Sequence, residues 1–160
     1  MHPLALLSIG VVAFLAMEGV AWLAHRYVMH GWGWAWHRSH HEPRRGGLEP
    51  NDGFSAVGTV LSLLLFWLAA AFGWPWLTAA AAGMSVYGVL YWLVHDGLVH
   101  QRWPLRWVPR TGYLHRLVLA HRLHHAVRTR EGALSFGFLI VRDPQALAGE
   151  LKVRRMARVR

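Results

Sequence analysis

Apolar residues fill this chain in long blocks, and the charged residues collect between them. The first block runs from Pro3 to Ala24 with Glu18 as its only charge. About 20 apolar residues cross a bilayer as a helix, so the block predicts a transmembrane span. It lacks a basic leading segment and a small-residue cleavage site, which reads as a retained span rather than a signal peptide. From Gly53 to Val94 no residue is charged. That stretch has room for two helices, and Gly73-Trp74-Pro75 interrupts it near the middle, as the tight turn of a hairpin would. The second and third spans are predicted at about Phe54–Phe72 and Trp76–His95.

A later apolar run, Ala133–Val141, is too short to cross as a helix. It is expected to dip into the interface or pack against the spans, with a fourth span left open. Asp143-Pro144 reads as an N-cap followed by the first helical position. The basic tail 142–160, with Leu147, Leu151 and Val153, predicts a surface-lying helix. The pattern as a whole predicts an all-α integral membrane protein with one domain over 1–160. Its three transmembrane helices would be joined by cytoplasmic and interfacial helices.

Charge orients the spans. All 17 Lys and Arg fall in 23–52, 100–132 and 142–160. With three spans these regions share one side, and the positive-inside rule makes that side the cytoplasm. The N-terminus and the Gly73–Pro75 turn would face outward. Trp32, Trp34, Trp36, Trp103 and Trp107 flank the span ends, where interfacial aromatics are expected. The formal net charge of +9 therefore marks membrane topology rather than nucleic-acid binding.

The candidate chemistry lies in the 12 histidines, and the absence of cysteine excludes disulfides, thiolate zinc sites and iron–sulfur clusters. Ten of the histidines form a repeated pattern. His25 and His30 make an H-x4-H pair, and His37, His40 and His41 an H-x2-H-H triplet. His95 with His100, and His121 with His124 and His125, repeat both elements. The predicted hairpin returns both copies to one membrane face.

Helix positions i, i+3 and i+4 share a face, so each triplet is expected to point one way. Leu114, Leu117 and Val118 extend the face of the second triplet. The pairs fit less well, because residues five apart lie about 140° around an ideal helix. Either the helix is distorted there or the two imidazoles serve different metals. Haem needs only one or two axial ligands and zinc about four, whereas ten imidazoles suit two metals. Asp96, Glu42 and Asp52 are candidates to hold the far nitrogen of a ligand imidazole. Glu18, inside a span, is a functional candidate by position. It lies about 10 Å before His25 along the same face, so its partner must come from another helix.

The segments AHRYVMHGWGWAWHRSHHEPR, VHDGLVHQRWP, AHRLHHAV and EGALSFGFL resemble the bacterial β-carotene 3-hydroxylases. These belong to the fatty-acid hydroxylase superfamily of membrane di-iron enzymes. The resemblance covers about Glu18 to Leu139. It implies oxygen-dependent hydroxylation of β-carotene to zeaxanthin through β-cryptoxanthin, with electrons from a ferredoxin-type donor. It also implies two non-haem irons held by the ten patterned histidines, at the cytoplasmic side of the inner membrane. His115 and His2 lie outside the motif. A carotenoid ketolase, a sterol or fatty-acid hydroxylase, a desaturase and a non-catalytic metal-binding membrane protein remain alternatives. A metal transporter would place its ligands nearer the midplane of the spans.

Overall fold

A chain in hydrocarbon must satisfy its backbone polar groups internally, so each apolar block closes on itself as a helix. The computed structural model describes residues 1–43, 47–104 and 107–159; Arg44, Arg45, Arg106 and Arg160, which enter the charge pattern, lie outside them. Helix α1 (Pro3–Leu23) runs on into a π-helical segment, Ala24–Trp32. Helix α2 (Trp34–His41) follows, then α3 (Asp52–Phe72) and α4 (Pro75–Trp92). A second π segment, Leu93–Val99, extends α4, and α5 (Gly112–His125) and α6 (Pro144–Val159) complete the order. No strand occurs among the described residues.

Three helices are long and apolar enough to cross a membrane: Pro3–Trp32, Asp52–Phe72 and Pro75–Val99. They match the expected spans in number and order. The first and third run past the expected ends at Ala24 and His95, because the π segments carry the helix onward. The expected hairpin turn is present. Gly73 takes φ 64°, a left-handed conformation open to glycine at little cost, and the Trp74 N–H closes onto the Ala69 carbonyl at 2.9 Å. Pro75 then starts α4 at a position where no N–H is needed.

Helix α4 is the centre of the bundle, with α1 and α3 packed on it. Small residues set the α1–α4 approach: a Cβ on Gly83 would collide with the Gly10 carbonyl oxygen. Ser62 and Ser85 hydrogen-bond between α3 and α4 at 2.5 Å. The outward faces expose Leu4, Leu7, Val11, Val60 and Leu63, which suits lipid rather than water.

The polar helices gather beyond one end of the spans. Helix α5 buries Leu117, Val118 and Ala120, while Leu114, expected on the same face, stays 38% exposed. Leu147 and Leu151 of α6 join Ala120 and Leu134 in a small core, so α6 packs on α5 and turns Val153 outward. Asp143 caps α6, its carboxylate accepting the Ala146 N–H at 3.0 Å. Segment 133–141 forms no regular secondary structure. It is a strap packed against the spans through Phe138 and Leu139, not a fourth helix. Trp32, Trp36 and Trp107 are exposed as expected at an interface. Trp34 instead turns inward onto His30 and His41, and Trp103 lies over Gly97 and Trp92.

Candidate metal centre

The π segments resolve the poor fit of the H-x4-H pairs. In a π helix the backbone bonds run from i to i+5, which stacks residues five apart one turn above another. The Gly33 N–H bonds the Val28 carbonyl at 2.8 Å, and the His100 N–H bonds the His95 carbonyl at 2.9 Å. Each pair therefore presents both rings to one place, and neither pair is divided between groups.

Two groups of imidazoles result. His25, His30, His37, His41 and His124 form one, and His40, His95, His100 and His121 form the other. In each group the candidate ligand atoms all lie within 4.8 Å of one another. His125 borders the second group, its Nε2 2.8 Å from that of His121 and its ring stacked on His41. All ten patterned histidines thus meet at the same end of the bundle. The triplets do not point one way, however. The outer rings of each triplet stay with their own half of the pattern, while the middle ring crosses over. His40 joins His95 and His100, and His124 joins His25 and His30. A single helical turn spreads i, i+3 and i+4 over enough arc to reach two adjacent groups.

The outer nitrogens of the first group are committed. Each Nδ1 faces an oxygen: Phe136 O at 3.1 Å for His25, Arg130 O at 2.8 Å for His30 and Asn51 Oδ1 at 2.7 Å for His37. Val127 O lies 2.8 Å from His41 Nδ1, and Leu134 O 2.9 Å from His124 Nδ1. Carbonyl oxygens only accept, so these Nδ1 atoms donate and the Nε2 atoms keep their lone pairs. The lone pairs converge. His30 and His124 bring their Nε2 atoms to 3.1 Å, and His37 and His41 to 3.2 Å. The buried His25 Nε2 has no hydrogen-bond partner. Lone pairs facing lone pairs in a buried pocket repel, and a cation among them turns that repulsion into coordination. The donor set fits a metal that accepts imidazole.

Protons are a poor substitute for that cation. Burial holds His37 down to about 3 and His41 to about 4, and holds His124 well below the ordinary histidine range. Neighbouring imidazoles push each of them further down. The rings stay neutral near pH 7, as metal ligation requires.

The second group is backed differently. His95 Nδ1 donates to the Asp96 carboxylate at 2.7 Å, and His40 Nδ1 to Glu49 at 3.2 Å. Arg102 holds Asp96 at 3.1 Å and grips both carboxylate oxygens of Asp52 at 2.6 and 2.7 Å. Of the three candidate carboxylates, Asp96 is the one that meets an imidazole among the described contacts. Asp52 acts one step away, through Arg102. Glu42, exposed, pairs with Arg38 at 3.3 Å. Glu49 and Asn51 were missed by the sequence reading. Their signal was the polar run Glu49-Pro50-Asn51-Asp52, which re-enters the bundle beside the first triplet. His115 bonds the Pro109 carbonyl and His2 caps α1, both away from the groups. A cleft of about 410 Å³ opens beside the second group, lined by Glu42, Glu49, His100, Arg102, Arg122 and Arg128 among others.

The fatty acid hydroxylase family model matches residues 10–143, which include all ten patterned histidines. The chain is 56% identical over 144 residues to a β-carotene hydroxylase of Pseudescherichia vulneris, covering 90% of this chain and 81% of that protein. It is 55% identical over 147 residues to the β-carotene hydroxylase of Pantoea ananas, covering 92% and 83%. A chloroplastic β-carotene 3-hydroxylase of Arabidopsis thaliana is 41% identical over 121 residues, 74% of this chain and 39% of that protein. No solved structure gives a significant match.

Proposed function

The chain belongs to the fatty acid hydroxylase family, and from that premise we propose that it hydroxylates the terminal rings of β-carotene, giving zeaxanthin by way of β-cryptoxanthin. The observation that carries the reading is the high identity to β-carotene hydroxylases over nearly the whole chain. The imidazole groups lie inside the matched region, and the apolar spans suit a substrate that dissolves in lipid. The reading treats 1–160 as one domain.

The same reading assigns two non-haem irons, one to each imidazole group, with His125 completing the second. Imidazole accepts iron, copper, nickel and zinc alike. Zinc has no redox chemistry, and hydroxylation of an unactivated ring carbon demands it, which favours iron. An iron pair supplies, when bound, the electron transfers by which dioxygen oxidises a C–H bond. The chain does the rest. Carbonyls 127, 130, 134 and 136 and the carboxylates of Asp96 and Glu49 hold the rings in one tautomer and orientation. Eight of the ten rings are buried, which limits water around them, while His100 and His125 face the cleft.

The charged cleft is the wrong chemistry for a hydrocarbon ring. The ring is therefore assigned an approach from the lipid side, and the cleft to the electron donor, a ferredoxin-type protein. Exposed Arg122 and Arg128 on its rim suit an acidic partner. The positive-inside rule supports placing this end of the bundle at the cytoplasmic face of the inner membrane. Expression in cells that accumulate β-carotene, followed by pigment analysis, tests the function. Zeaxanthin is the expected product. Unchanged β-carotene despite membrane-inserted protein would sink the reading, and a keto product would move it to a ketolase.

A further inference from the structure

The mechanism above leaves one buried charged group unused. Glu18, 9% exposed within a span, accepts hydrogen bonds from four donors. The amides of Phe138 at 2.8 Å and Ile140 at 3.0 Å bond Oε1, and the Leu139 amide reaches both oxygens at 3.0 and 2.9 Å. The Tyr87 hydroxyl completes the set at 2.8 Å to Oε2. Three successive amides converging on one carboxylate fold the strap 133–141 over the end of α1. A carboxylate in so apolar a place requires such donors, and the strap requires such an acceptor, because its amides have no helix or sheet to satisfy them.

The strap carries parts of the first imidazole group. Its Phe136 carbonyl takes the His25 Nδ1–H and its Leu134 carbonyl the His124 Nδ1–H. The Phe136 ring packs on His25, His30 and His124 at 5.5, 5.2 and 5.3 Å between centroids. Among the described residues no hydrogen bond runs from the strap to the second group, which the strap meets through the Phe138 ring, edge-on to His95 at 6.4 Å; Asp96 and Glu49 back two of its rings.

We propose that Glu18 is a positioning residue for the five-imidazole group, acting through the strap to aim His25 and His124 at their metal. The inference rests on the two-metal reading. Displacing the strap removes the hydrogen-bond acceptors of two of the five rings, whereas the second group loses only the edge contact of Phe138 with His95 and keeps its hydrogen-bonded backing. Loss of Glu18 should therefore weaken one of two metal ions and spare the other.

The test uses the full chain, purified metal-free in detergent micelles and titrated anaerobically with ferrous iron. Ions bound per chain are counted, and the Mössbauer spectrum is recorded after each addition. His37→Ala and His95→Ala assign the two spectral components to the two groups. Glu18→Gln keeps the size but removes the charge. Gly137→Ala leaves Glu18 and every histidine untouched, yet its new Cβ would collide with the Ile140 carbonyl and sit 3.3 Å from Glu18 Oε1, shifting the strap. Both variants should keep wild-type helicity and bind the second-group ion normally. Affinity at the five-imidazole group should fall about 10–100-fold. Two ions with wild-type affinities and spectra in either folded variant overturns the proposal. So does parallel weakening of both ions, or loss of helicity in both variants, since either makes Glu18 a general support. A wild-type chain that binds fewer than two ions overturns the two-metal reading itself, and the inference with it.

Discussion

The two imidazole groups are near copies in sequence and different in what stands behind them. In the first group every outer nitrogen meets a neutral oxygen, four of them backbone carbonyls and one the Asn51 side chain. In the second, His95 and His40 lean on the carboxylates of Asp96 and Glu49, and Arg102 ties Asp96 to Asp52. A carboxylate raises the basicity of the ring it holds more than a carbonyl does. The second group would therefore be the stronger electron donor to a metal held there. Its His40, His100 and His121 line the open cleft, whereas the first group reaches the cleft through His41 alone and otherwise lies under the strap and Trp34. A duplicated histidine motif has become one more enclosed group and one backed by carboxylates.

Removing a crossing histidine should have the largest effect. His124→Ala takes a wholly buried ring from the first group, and His40→Ala takes one from the second. Each should abolish zeaxanthin formation and lower bound iron, measured by pigment analysis and metal content. Full turnover in either variant removes that residue from the ligand set.

The backing groups sharpen the comparison. Arg102→Met removes the guanidinium that bridges Asp96 and Asp52 in a part-buried network. A lowered unfolding midpoint, with weaker metal at the second group, is expected. Asp96→Asn keeps the shape and removes the charge, so metal affinity at the second group should fall about 10–100-fold. Asn51→Ala removes one neutral acceptor from the first group and should cost less than Asp96→Asn. Equal losses in that pair would break the distinction between the two groups.

Acid separates the metal-free chain from the loaded one. The His37 and His41 rings resist protonation down to about 3 and 4 when folded, against an ordinary value of 6.5. Between those limits the unfolded chain binds more protons than the folded one. Stability is therefore full above about pH 6.5 and falls as pH drops toward 4 and then 3. The thermal midpoint of metal-free protein should decline over that window, and a flat profile from pH 7 to 4 would contradict it. The smallest effect concerns the cleft. High salt should slow turnover with a protein donor and leave turnover with a small chemical reductant unchanged.

Much of this protein was legible before any fold. Three apolar blocks, one Gly-Trp-Pro break and a one-sided distribution of arginine yield three spans and a hairpin, since hydrocarbon leaves a chain few other arrangements. The repeated histidine pattern named the ligand candidates, because covalent spacing on a helix decides what faces together locally. The Asp143 cap was legible for the same reason. Segment 133–141 was harder. Its apolar run resembles a buried helix, but its shape depends on Glu18, more than a hundred residues earlier.

What the chain alone determined is which histidines gather, and at one end of which spans. Tertiary structure decided the partition. His40 and His124 cross because α2 and α5 meet beside the two π segments, and no local spacing encodes that meeting. Glu49 and Asn51 back imidazoles, and Glu42 does not, for the same reason. Helical periodicity reaches about a turn along the chain, whereas a metal pocket is assembled from elements that only folding brings within hydrogen-bonding distance.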